Sequence, residues 1–123
     1  MIEQKVSKLN EYFEGQIALC GQRNKELLAD ERMDEATFEM VKANVYDIFR
    51  AILSVAVKTC KGDPDAVQCF FVQKAEQIPS SWSAAYDKAK QHNDAVKMCL
   101  EQVKLDAIGE IKENFAKIWE GVE

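Results

Sequence analysis

The chain has 123 residues, of which 47% are hydrophobic and 30% charged, and it carries a net charge of −5. This length and composition are typical of one globular domain and exclude an intrinsically disordered chain, while the negative charge disfavours binding to nucleic acid or to an anionic membrane. With only five Gly and two Pro, the sequence lacks the many tight turns of a β-sandwich or barrel. We therefore expect a single domain over residues 1–123, with no nucleic-acid and no membrane partner.

The first helix is predicted over residues 2–29, where apolar side chains recur every three or four residues. Gly15 and Gly21 lie inside this segment, and each costs up to about 1 kcal/mol relative to alanine in a helix. One explanation for both glycines is the close approach of a neighbouring helix.

The second helix is predicted over about residues 34–61, with Asp34 as its N-cap, and it is the most apolar element of the chain. Its polar positions form one narrow stripe: Glu39, Lys42, Asp47, Arg50, Ser54 and Lys58. A helix that meets water along so thin a strip is packed on more than one side. We therefore expect it to be the central helix, covered by at least two others.

The clearest boundary in the chain is the Gly-Asp-Pro sequence at 62–64. Glycine suits the left-handed residue after a helix, aspartate caps the next helix, and proline suits its first position. A short helix is predicted over about 64–77 and ends before Pro79, because the residue preceding a proline avoids helical backbone. A serine at 80 or 81 is then available to cap the next helix.

Helical spacing continues from residue 81 to about 120, which leaves two interpretations. One unbroken helix would be about 60 Å long and would overhang the first two. A break at His92–Asp94 is favoured, since asparagine tolerates left-handed backbone and the flanking charges suit one helix ending and another beginning. The predicted fold is therefore all-α: a single helical bundle of three long helices plus a short helical hairpin.

Few residues are available for chemistry. His92 is the only histidine, which excludes di-iron bundles, His-Glu-x-x-His hydrolases and three-histidine zinc centres. Cys99 lies within a predicted helix rather than at a helix start, where a thiolate would be favoured. We therefore predict that the protein is not an enzyme and has no catalytic, cofactor-binding or metal site.

The cellular compartment is inferred from the cysteines and from the start of the chain. The first residues have no apolar signal-peptide centre, and no apolar run is long enough to span a membrane. The four cysteines form no Cys-x-x-Cys pair, so we expect them to be reduced and mostly buried. These features predict a cytoplasmic protein.

Two functions are compatible with this sequence. The leading one is an interaction or scaffold module that forms a homodimer, because two half-length helices leave a gap in the bundle that a second copy can cover. Trp119, at the end of an apolar face, is then either core or an interface anchor. The alternative is a small-molecule-binding bundle with a pocket near Asp47 and Arg50, which are three residues apart on one face of the second helix. Without a ligand, the two side chains would simply form a surface ion pair.

Overall fold

The computed structural model describes residues 2–121 and consists of four helices. They are α1 (Ile2–Ala29), α2 (Met33–Thr59), α3 (Pro64–Gln91) and α4 (Ala95–Trp119). The all-α prediction is confirmed. The finer prediction of three long helices plus a short hairpin is wrong, because all four helices are long, with 25 to 28 residues each.

The predicted short hairpin is absent because α3 continues through Pro79, which is buried inside it. Proline removes one hydrogen bond of the helix and crowds the preceding turn. Next to the proline, the Ser80 hydroxyl donates to the Gln77 carbonyl at 2.6 Å, and the Ser81 hydroxyl donates to the Ile78 carbonyl at 3.1 Å. The segments predicted at 64–77 and from 81 are therefore parts of one helix.

The predicted break near residues 92–94 is confirmed. His92 ends α3, and Asn93 has a left-handed backbone with φ of 54°. The Asp94 side chain then accepts a hydrogen bond from the Lys97 amide at 3.1 Å and caps α4.

The boundary between α2 and α3 also agrees with the sequence. Gly62 has φ of 76°, the Asp63 side chain accepts a hydrogen bond from the Asp65 amide at 3.1 Å, and Pro64 begins α3. The predicted cap at Asp34 is wrong. Helix α2 begins one residue earlier, and Asp34 lies in its first turn, where a carboxylate is stabilised by the helix dipole.

Short connections make consecutive helices antiparallel, so the chain forms two helical hairpins. One hairpin is α1–α2 and the other is α3–α4. The hairpins meet mainly through α2 and α4, while α1 and α4 touch less extensively. Helix α2 contacts all three other helices, which agrees with its predicted central place.

An aromatic stack joins the two hairpins at the end of the bundle where α2 leads into α3. The Phe49 and Phe71 rings lie 5.8 Å apart, Phe71 stacks on Phe115 at 4.2 Å, and Phe115 stacks on Trp119 at 5.1 Å. Each of these side chains is at least 96% buried. They belong to one continuous hydrophobic core that all four helices share.

Trp119 is a core residue and not an interface anchor, since only 4% of its surface is exposed within one chain. The Lys5 ammonium lies 5.4 Å from the centre of its ring and also donates a hydrogen bond to its carbonyl. The gap that the sequence predicted beside the short helices does not exist either, because α3 runs the length of the bundle. Any association surface therefore lies elsewhere.

Candidate interaction surface

The sequence candidates for chemistry are scattered. His92 is exposed at the end of α3. All four cysteines are free, but only Cys20 is buried, so the prediction of mostly buried thiols is wrong. Within residues 2–121, no group of three or more His, Cys, Asp and Glu side chains is arranged to hold a metal ion.

Asp47 and Arg50 form the expected pair on α2. The Arg50 guanidinium donates to the Asp47 carboxylate at 2.5 Å, and their side chains are 41% and 59% exposed. This exposure favours a surface ion pair. Two apolar grooves, of about 200 and 490 Å³, lie between α3 and α4 and beside the start of α1, and neither is lined by this pair. A small-molecule site near Asp47 and Arg50 stays a prediction.

The sequence patterns did not predict two buried polar contacts. Tyr46 is fully buried on α2 and donates a hydrogen bond to the Glu110 carboxylate at 2.7 Å. Burial raises the pKa of the Tyr46 phenol, and the hydrogen bond to Glu110 raises it further. Tyr12 packs edge-on against Tyr46 with 5.9 Å between the ring centres, and burial also raises the pKa of Tyr12. This cluster joins α1, α2 and α4, and the Glu110 carboxylate provides the hydrogen-bond partner that the buried Tyr46 hydroxyl needs.

Glu101 makes the second such contact, since this charged side chain of α4 is buried. Its carboxylate meets the Lys104 ammonium at 3.3 Å, and that ammonium lies 5.8 Å from the centre of the Trp82 ring. The spacing carried a signal: Glu101 precedes Ile108 and Phe115 by seven and fourteen residues, and so lies on the core-facing side of the helix.

The outer face of α2 is apolar although it is exposed to solvent. Large hydrophobic side chains lie exposed along it: Met33, Met40, Ile48 and Val55, with exposed fractions of 59%, 56%, 41% and 51%. We call these four residues, with the exposed Thr37, Asn44 and Ala51 between them, the outer α2 face. The spacing of three or four residues places all seven on one side of the helix.

This face is opposite the core. The buried residues of α2 include Tyr46, Phe49 and Leu53, which point into the bundle. Ile48 follows Tyr46 by two residues, about 200° around the helix, and so points outwards. Helix α2 is thus apolar on both sides, while the other three helices cover only one of them. The sequence predicted a helix covered on more than one side, and the single chain leaves its outer side bare.

The two ends of the outer α2 face differ in charge. At its start, the connection from α1 and the first turn of α2 carry Asp30, Glu31, Asp34 and Glu35, with Arg32 paired to Glu35. At its end, Lys58 and Lys61 are exposed. The face is therefore an apolar strip with an acidic end and a basic end.

Comparison of the chain with models of protein families, with curated proteins and with solved structures finds no match in any of the three. Within the described part of the chain, no helix is both long and apolar enough to cross a membrane.

Proposed function

We propose that the protein is a non-enzymatic interaction module that self-associates through the outer α2 face. The observation that carries this proposal is the row of four half-exposed hydrophobic side chains on one side of one helix. Together they expose apolar surface on the order of 400 Å², which matches the largest apolar patch of a typical monomer, and such a patch is often functional.

The size of the face also indicates how tightly two copies bind. A contact confined to one helix of each copy buries less than the roughly 800 Å² per partner of a standard interface. Association pays for lost translational and rotational freedom before any gain appears. We therefore expect a reversible homodimer with a dissociation constant on the order of micromolar.

A cytoplasmic setting is part of the proposal. Cys69 and Cys99 are exposed and Cys60 is partly exposed, all as free thiols. Free exposed thiols are typical of a reducing compartment, where they neither pair nor exchange.

The test is the mass of the chain in solution, measured by light scattering over a range of concentrations. The wild-type chain is expected to approach twice its monomer mass of 14.0 kDa as its concentration passes the micromolar range. The variant Met40→Glu is expected to remain monomeric, because a dimer would bury two unpaired carboxylates.

The matched control is Val96→Glu, on α4 away from the outer α2 face. Val96 is 54% exposed and Met40 56%, so the two variants add the same charge at equally exposed sites. We expect Val96→Glu to dimerise like the wild type. A wild-type chain that stays at 14.0 kDa up to hundreds of micromolar would overturn self-association.

A further inference from the structure

We infer that two copies pair through α2 in antiparallel orientation, with Asn44 on the two-fold axis. This inference rests on the proposed self-association and adds its geometry: which residues meet, and in which direction. It follows from the order of residues on the outer α2 face and from the charges at its ends.

The outer α2 face reads the same from both ends. Its seven residues are spaced by 4, 3, 4, 4, 3 and 4 positions, with Asn44 in the centre. An antiparallel partner centred there brings Met33 against the second copy's Val55, and Met40 against its Ile48. Thr37 meets the small Ala51 in the same way. Every large apolar side chain of the face thus meets another, as burial of the whole patch requires.

Asn44 is the one amide in the middle of this apolar strip, and it is exposed in the single chain. On the two-fold axis, the side-chain amide of each copy donates to the side-chain carbonyl of the other. A single asparagine in an apolar helix seam fixes the register of the pairing, since any shift leaves the amide buried and unpaired. Asn44 therefore sets the alignment of the two helices.

The end charges decide the direction. In the antiparallel pair, Lys58 and Lys61 of one copy lie beside the acidic residues Asp30, Glu31 and Asp34 of the other. In a parallel pair, acidic ends would meet each other, and so would basic ends. Opposed helix dipoles add to the same preference. The chemistry of the partner is therefore that of a second copy of this chain, turned by 180°.

Disulfide cross-linking tests the geometry directly. The exposed and partly exposed cysteines, at positions 60, 69 and 99, are first replaced by serine to remove competing thiols. Asn44→Cys and Met33→Cys are then made separately in that background and oxidised in air with a copper–phenanthroline catalyst. Both new thiols lie on the exposed surface, so neither variant disturbs the core.

The expected result is a covalent dimer for Asn44→Cys and none for Met33→Cys. Residue 44 faces its own copy across the axis, within the Cα separation of about 7 Å that a disulfide spans. Residue 33 is eleven positions from the axis, so its two copies are about 33 Å apart. We expect cross-linking of Asn44→Cys to exceed that of Met33→Cys at least about tenfold.

Three other outcomes overturn the inference. Self-linking of Met33→Cys would show a parallel pair. Failure of both variants to cross-link, with a mass that still doubles, would show that position 44 does not lie on the two-fold axis, and would leave self-association standing. If the mass does not double at all, the proposed function itself falls, and with it the pairing. Light scattering on the same samples separates these cases.

Discussion

At the scale of single residues, burial makes side chains of the same type differ in their chemistry. Four cysteines occur, but only Cys20 lies in the core, with 1% of its surface exposed. Burial raises the pKa of the Cys20 thiol to about 11, and the nearby Glu39 carboxylate acts in the same direction. Cys20 therefore resists deprotonation and behaves as a small apolar side chain.

This raised pKa predicts alkaline sensitivity. The unfolded chain releases the thiol proton near the ordinary value of 9.0, whereas the folded chain holds it to about 11. The stabilisation is therefore complete below pH 9 and is lost as the pH rises from 9 to 11, by roughly 2–3 kcal/mol at 1.36 kcal/mol per pKa unit. Urea unfolding at about pH 8 and pH 10.5 measures it. Cys20→Ala is expected to lose less stability across this range than Cys69→Ala, and equal losses would contradict the assignment.

At the scale of helices, a glycine weakens the interior of a helix but suits the left-handed residue between two helices. Three glycines lie at exposed positions inside helices: Gly15, Gly21 and Gly109. A methyl group added at any of these positions meets no neighbouring atom within 4 Å. The close helix approach expected at Gly15 and Gly21 is therefore wrong for the single chain. Gly62 differs, because its φ of 76° is a conformation that other residues adopt at a cost.

Replacing these glycines by alanine is therefore expected to act in opposite directions. Gly15→Ala and Gly21→Ala each raise the free energy of unfolding by about 0.5–1 kcal/mol, because alanine favours the helix and nothing obstructs its methyl group. Gly62→Ala lowers it by about 1 kcal/mol, because the left-handed backbone remains. Chemical denaturation of the three variants checks the signs. A loss of stability in Gly15→Ala would indicate a hidden contact at that face.

At the scale of the whole molecule, the two hairpins share one aromatic core. Phe49 of the first hairpin contacts Phe71 of the second, and Phe71 stacks on Phe115 within its own hairpin. Because this core spans both hairpins, neither buries its apolar face alone, and we expect the four helices to unfold as one unit. The outer α2 face takes no part in that core and is free to meet a second copy.

Two neighbouring residues on α2 separate core from surface. Phe49→Ala is expected to cost about 3–5 kcal/mol, because a fully buried ring leaves a cavity between the hairpins. Arg50→Ala is expected to cost less than about 1 kcal/mol, because its ion pair with Asp47 is largely exposed. Urea unfolding gives both values. A cost for Arg50→Ala similar to that of Phe49→Ala would show that Arg50 is buried and paired in solution.

The sequence alone was enough to predict the fold class and most helix boundaries. The Gly-Asp-Pro boundary, the break at His92–Asp94 and the first helix depend on local backbone preferences and on spacing within one element, and each is confirmed. It also indicated that α2 is apolar on more than one side, although it did not show which side remains bare.

The way those helices cover one another depends on tertiary packing. Three features depend on neighbours that are distant in the chain. They are the passage of α3 through Pro79, the burial of Trp119 and Glu101, and the bare outer α2 face. A local preference of about 3 kcal/mol against proline inside a helix is outweighed once the flanking turns pack into a shared core. Burial is likewise a property of facing surfaces. The sequence shows which residues are apolar, and the packed bundle decides which of them remain in water.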